Sequence, residues 1–132
     1  MDEANVNDRK SRILVVDDNK DSALSLAMIL EFMGHETRTA CDGIEAVEVA
    51  EEMKPEVILL DIGLPRMNGY DAARKIRALP GGGAIFMIAL TGWGQDEDRR
   101  RSAESGFNLH MVKPVDPVAI ENLLAGLKGP TA

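Results

Sequence analysis

Five polar side chains stand at the ends of apolar runs. Asp17 and Asp18 follow Ile13-Leu14-Val15-Val16, and Asp61 follows Val57-Ile58-Leu59-Leu60. Thr91 closes the run from Ala84 to Leu90, and Lys113 follows Leu109-His110-Met111-Val112. Short apolar runs bounded by turn signals read as strands buried on both faces. In a parallel sheet all five side chains emerge at one edge, where open α/β sheets bind ligands. That edge gathers three carboxylates, a hydroxyl and an ammonium. Two like charges about 4 Å apart cost roughly 4 kcal/mol at an effective dielectric of 20. Lys113 supplies one compensating charge, and a hard divalent ion would supply the rest. An all-oxygen set suits Mg²⁺ better than Zn²⁺. With only two His and one Cys, the chain offers no cluster for a softer metal. These groups together suit phosphoryl chemistry. A carboxylate can attack phosphorus to give an acyl phosphate, while cations neutralise the transferring oxygens. Asp61 is the expected reactive group, and Thr91 could hydrogen-bond one of those oxygens.

The elements that must position these groups are legible from periodicity. Strands are expected at 12–16, 35–40, 57–61, 84–90 and 109–112. Helices are expected at 20–33, 44–53, 70–78 and about 95–104, with a last one from Pro117 behind an Asp116 N-cap. Ala23, Leu26, Ala27, Leu30 and Met33 share one face of the first helix, and Ile120, Leu123, Leu124 and Leu127 share one face of the last. Gly34 and Gly106 stop helices. Asp42-Gly43 and Asn68-Gly69 read as turns. Met28, Met33, Met53, Met87 and Met111 read as core fillers, and Cys41 as a small buried apolar residue. Five strand–helix alternations predict an α/β fold with a parallel sheet covered on both faces.

The 132 residues fit one domain: a disordered lead-in at 1–11, a folded unit at 12–128 and a tail at 129–132. A net charge of −7 argues against nucleic-acid binding through the bulk field. A signal core and a run of about 20 apolar residues are both missing from the sequence, so no membrane span and a cytoplasmic location are expected.

The segments ILVVDDNKDS, VILLDIGLPRMNGYDAARKIR, IALTG and LHMVKPVD, in this order, resemble the receiver domain of two-component response regulators. The resemblance covers about residues 12 to 127. It implies a flavodoxin-like, doubly wound sheet of order 2-1-3-4-5 with five helices. It implies Asp61 as phosphoacceptor, taking a phosphoryl group from a histidine kinase or histidine phosphotransfer protein. Asp18, Asp61 and the Gly63 carbonyl would hold Mg²⁺, with Asp17 acting through water. Thr91 would hold a phosphoryl oxygen and Lys113 would pair with the phosphoryl group. The Lys113-Pro114 bond would be cis. A downstream protein would dock on the last two helices and fifth strand, and a homodimer through the face carrying Arg99-Arg100-Arg101 is open. Such a domain is a signalling switch with at most slow self-dephosphorylation, either free-standing or part of a hybrid sensor kinase.

His110 departs from the pattern, because this family often has Tyr or Phe there. It reads either as an edge residue or as a modified switch beside Thr91. Trp93 reads as a surface aromatic or as a lid over the site. Two alternatives stay open for the whole chain. A Mg²⁺-dependent aspartyl-phosphate hydrolase usually carries a second Asp two residues after the nucleophile, where this chain has Gly63. A non-phosphorylated pseudo-receiver would be expected to lack one of the acidic pair, Asp61 or Lys113, and none is missing.

Overall fold

The computed structural model describes residues 11–64, 67–92, 105–113 and 115–128. Five strands form one sheet: β1 (Arg12–Val16), β2 (Glu36–Ala40), β3 (Val57–Asp61), β4 (Phe86–Thr91) and β5 (Leu109–Val112). All neighbouring pairs are parallel, in the order β2-β1-β3-β4-β5. The described helices are α1 (Lys20–Phe32), α2 (Gly43–Met53), α3 (Gly69–Arg77) and α4 (Pro117–Lys128). The fold is the expected flavodoxin-like one. The helix expected at 95–104, with its arginine run, lies outside the described residues.

Alternation along the central strands divides the core in two. Leu14, Val16, Ile58, Leu60, Met87 and Ala89 pack on the side of α2 and α3. Ile13, Val15, Val57, Leu59, Ile88 and Leu90 pack on the other, against Ala23, Ala27 and Leu30 of α1 and Ile120 and Leu124 of α4. Every residue of β3 is buried, which explains its unbroken apolar run. Edge strand β2 alternates between exposed and partly buried residues, as its mixed sequence requires.

Short polar residues start the helices. Asn19, Asp42 and Asn68 each accept the backbone N–H three residues on, at 2.8–3.0 Å. Asp42-Gly43 and Asn68-Gly69 are therefore N-caps with the first helical residue, rather than free turns. Both glycines are required by close approach. A Cβ on Gly69 would meet the Ile62 Cα and lie 2.7 Å from the Asp61 carbonyl oxygen. A Cβ on Gly43 would meet the Met67 carbonyl oxygen and lie 2.8 Å from the Met67 Cβ. The two helix starts thus clamp the loop leaving β3.

Other sequence expectations change as well. The strand expected at 84–90 begins at Phe86, because Gly82–Ala84 turn as a short 3-10 helix. Met28 is 66% exposed and fills no core. Cys41 is only partly buried, and its thiol donates to Glu45 Oε1 at 3.2 Å. That bond, followed by burial and the charges of Glu45 and Asp42, pushes the thiol pKa up, away from nucleophilic character.

Arg77, unremarked in the sequence, ties four segments together. Its guanidinium donates to the carbonyls of Gly82, Ile85 and Gly106 and to Asn108 Oδ1, at 2.6–2.9 Å. Asn108 Oδ1 also accepts the Met87 N–H at 2.8 Å. Burial pushes the guanidinium pKa down from its usual value. No helix among the described residues is long and apolar enough to cross a membrane.

Two substitutions test this packing. Gly69→Ala should lower stability by about 1–3 kcal/mol, because backbone must move to admit the methyl group. Arg77→Lys should lose about 1–3 kcal/mol, since a lysine cannot span the same carbonyls. Urea unfolding measures both, and an unchanged midpoint in either would contradict the corresponding contact.

Candidate functional site

The C-terminal ends of β1, β3, β4 and β5 lie along one edge, as parallel pairing demands. Val16 pairs with Leu60 across β1 and β3, so Asp17 and Asp61 leave neighbouring strands side by side. The Ile62 N–H continues the β3–β4 ladder to the Leu90 carbonyl at 3.2 Å and fixes the backbone just past Asp61. Asp17 and Asp61 are buried, whereas Asp18 is exposed.

The two buried carboxylates are satisfied in the same way. Asp61 Oδ1 accepts the Gly63 N–H at 2.8 Å, and Oδ2 accepts from Lys113 Nζ at 2.6 Å. Asp17 Oδ1 accepts the Asn19 N–H at 3.0 Å, and Oδ2 accepts from Lys113 Nζ at 3.1 Å. Each carboxylate therefore has one oxygen on a backbone amide and one on the shared ammonium. Burial by itself pulls the Lys113 pKa down. The hydrogen bonds and charges of Asp61 and Asp17 outweigh it and hold the ammonium above the ordinary lysine value.

Asp18 completes the acidic set. One carboxylate oxygen from each of Asp17, Asp18 and Asp61 lies within 4.8 Å of the others. Three negative charges face one ammonium, and the donors are hard oxygens reached from solvent beside Asp18. This donor set fits a hard divalent cation such as Mg²⁺.

Thr91 is buried at the end of β4, and its carbonyl accepts the Lys113 N–H at 2.7 Å. Thr91 Oγ1 and His110 Nε2 are 2.9 Å apart. β5 therefore delivers Lys113 to the carboxylates and His110 to the threonine. Gly63 is exposed, and a Cβ there would lie 3.5 Å from Asp61 Oδ1, an ordinary contact. At Gly92 an added Cβ would meet open space. Trp93 and Pro114 lie outside the described residues, so the lid and the cis bond are not addressed by them. Sequence reasoning missed Asn19, whose backbone amide orients Asp17. A backbone donor leaves no trace in residue type. It also missed the close approach at Gly69, for which the only signal was a glycine where helices rarely want one.

The model of the response regulator receiver domain matches residues 13–125. A 14.6 kDa protein of Leptolyngbya boryana is 37% identical over 112 residues, covering 85% of this chain and 86% of that protein. PilH of Pseudomonas aeruginosa is 35% identical over 106 residues, covering 80% and 88%. The chain spans about half the length of the DNA-binding regulators it also matches. Among solved structures, the receiver domain of the sensor histidine kinase PA1611 from P. aeruginosa superposes with a TM-score of 0.82 at 32% identity. It covers 91% of this chain and 98% of that one, and carries a magnesium ion in its active site cleft.

The Lys113 contacts predict a pH dependence. A pKa raised on folding contributes stability that is whole below the unfolded value, ordinarily 10.5, and is lost as pH rises through the higher folded value. Lys113→Gln should therefore melt below the wild type at neutral pH, and the gap should close above about pH 10.5. Thermal unfolding of both proteins across that range measures it. A gap that persists at the alkaline end would mean the ammonium is not its source.

Proposed function

The chain belongs to the response regulator receiver family, and from that premise we propose that it is a phosphoacceptor switch in which Asp61 takes a phosphoryl group from a phosphohistidine. The observation that carries this reading is the 2.6 Å contact of Lys113 Nζ with an Asp61 carboxylate that is also ringed by Asp17 and Asp18. The donor is a histidine kinase or a histidine phosphotransfer protein. An Asp61 oxygen bonds to phosphorus as the P–N bond breaks, and the imidazole leaves with that electron pair.

Each neighbour has a separate task. Lys113 starts on Asp61 and stays near to pair with the incoming phosphoryl oxygens. Thr91 donates its hydroxyl to one of them. Asp18, Asp61 and the Gly63 carbonyl would hold Mg²⁺, with Asp17 acting through water. When bound, the ion neutralises charge on the transferring group. The backbone N–H of Gly63 holds the second Asp61 oxygen in place. Its lack of a side chain keeps the approach open and leaves no acid/base group for rapid turnover. This favours a group that is modified and read out, with slow self-dephosphorylation.

The changed charge then biases β5, α4 and the segment before β5, the face on which a downstream protein would dock. A cytoplasmic setting is consistent with this chemistry. The resemblance to a sensor-kinase receiver makes a phosphorelay role a natural one, whether the domain acts alone or within a longer protein.

Incubation with Mg²⁺ and acetyl phosphate or a phosphoramidate, followed by intact mass, tests the reading. One phosphoryl group per chain should appear and be absent in Asp61→Asn. Multiple turnover without a lasting adduct would point to a hydrolase, and no adduct at all would mark a binding module. Mg²⁺ alone should stabilise the fold by mass action, by about 2.7 kcal/mol at a hundredfold excess over Kd, read as a rise in melting temperature. Asp18→Asn should lose most of that shift.

A further inference from the structure

Thr91 and His110 lie on the same face of the sheet. Thr91 pairs in register with Val112, and His110 with Ala89 two positions back, so alternation puts both side chains on one face of adjoining strands. Their side chains are 2.9 Å apart. A hydroxyl has one proton to give. A phosphoryl oxygen accepts hydrogen bonds and offers none in its ionised form. Once the Thr91 proton is directed at a phosphoryl oxygen, the contact with His110 can only run from Nε2–H to Oγ1. The loaded site therefore selects one ring tautomer, whereas the unloaded site admits either direction.

We propose that His110 is a positioning residue, whose Nε2–H holds the Thr91 oxygen so that the hydroxyl proton faces Asp61, and whose ring tautomer reports the state of Asp61. This rests on Asp61 being the phosphoacceptor. A phenyl ring at residue 110 would occupy similar space but offer no donor to the hydroxyl. A glutamine places an N–H close to where the imidazole Nε2 stands. Chemistry rather than bulk therefore sets the effect.

The protein contains a reference ring. It has two histidines, and His35 sits before β2, at the opposite end of the sheet. His35 Nδ1 accepts the Ser11 N–H at 3.0 Å, and Nε2 donates to Glu121 Oε1 at 2.8 Å. Its tautomer is set by contacts remote from Asp61.

The test loads the full chain with Mg²⁺ and beryllofluoride and follows both imidazoles by ¹⁵N–¹H correlation, while ¹⁹F signals count the adduct. The expected result is an adduct with His110 moving to the Nε2–H form and His35 unmoved. His110→Phe should bind beryllofluoride about fivefold more weakly, the worth of one net hydrogen bond. His110→Gln should recover most of that loss. An adduct formed with the His110 ring unmoved, or a Phe variant binding as tightly as the wild type, overturns the proposal while leaving the phosphoacceptor reading intact. No adduct in the wild type overturns both. The ring measurement needs no variant, so it decides even if a substitution at residue 110 unfolds the protein.

Discussion

Three carboxylates crowd one edge of the sheet, one ammonium bridges the two buried ones, and the rest of the structure works to keep that imbalance in place. Asp17 and Asp61 cannot relax away from each other, because β1 and β3 are paired along their length and both are buried. Each buried carboxylate is pinned a second time by a backbone amide, from Asn19 or Gly63. Lys113 offsets part of the repulsion and is itself held charged by it. The residual negative charge suits the site to a hard cation.

The support lies behind the sheet edge rather than at it. α2 and α3 begin on glycines that touch the loop leaving β3, so that loop cannot lift without moving two helices. Arg77 joins the end of α3 to the start of β4 and to the approach to β5, using only uncharged acceptors. A guanidinium that satisfies so many carbonyls stands in for a stretch of regular ladder where the chain has none. His35 performs a comparable service below the sheet, linking Ser11 to Glu121 on α4.

Much of this was legible in the sequence. Buried parallel strands show themselves as unbroken apolar runs, and the polar residue after each run is visible because nothing else in the run is polar. That is why Asp17, Asp18, Asp61, Thr91 and Lys113 stand out together in the sequence. The parts that escaped share a physical cause. Arg77 and Asn19 act through backbone partners, which carry no residue signature. Gly43 and Gly69 looked like turn formers because close approach and positive φ favour the same residue. Met28 was read as a core filler from its residue type, although it lies off the inward stripe of Ala23, Leu26, Ala27, Leu30 and Met33. His110 was noticed as an unusual residue, but only the geometry tied it to the Thr91 hydroxyl.

β5 is the shortest of the described strands and stands at the edge of the sheet, so a single ladder aligns it. Within its four residues and the one that follows lie both His110 and Lys113. Strand side chains alternate, so sliding β5 by one residue would turn His110 to the opposite face and withdraw the ammonium from the carboxylates. Connecting segments in general can change in number of residues without harm. The interval from His110 to Lys113 cannot. β5 acts as a ruler: what it keeps is the interval that lets His110 reach Thr91 while Lys113 reaches the carboxylates.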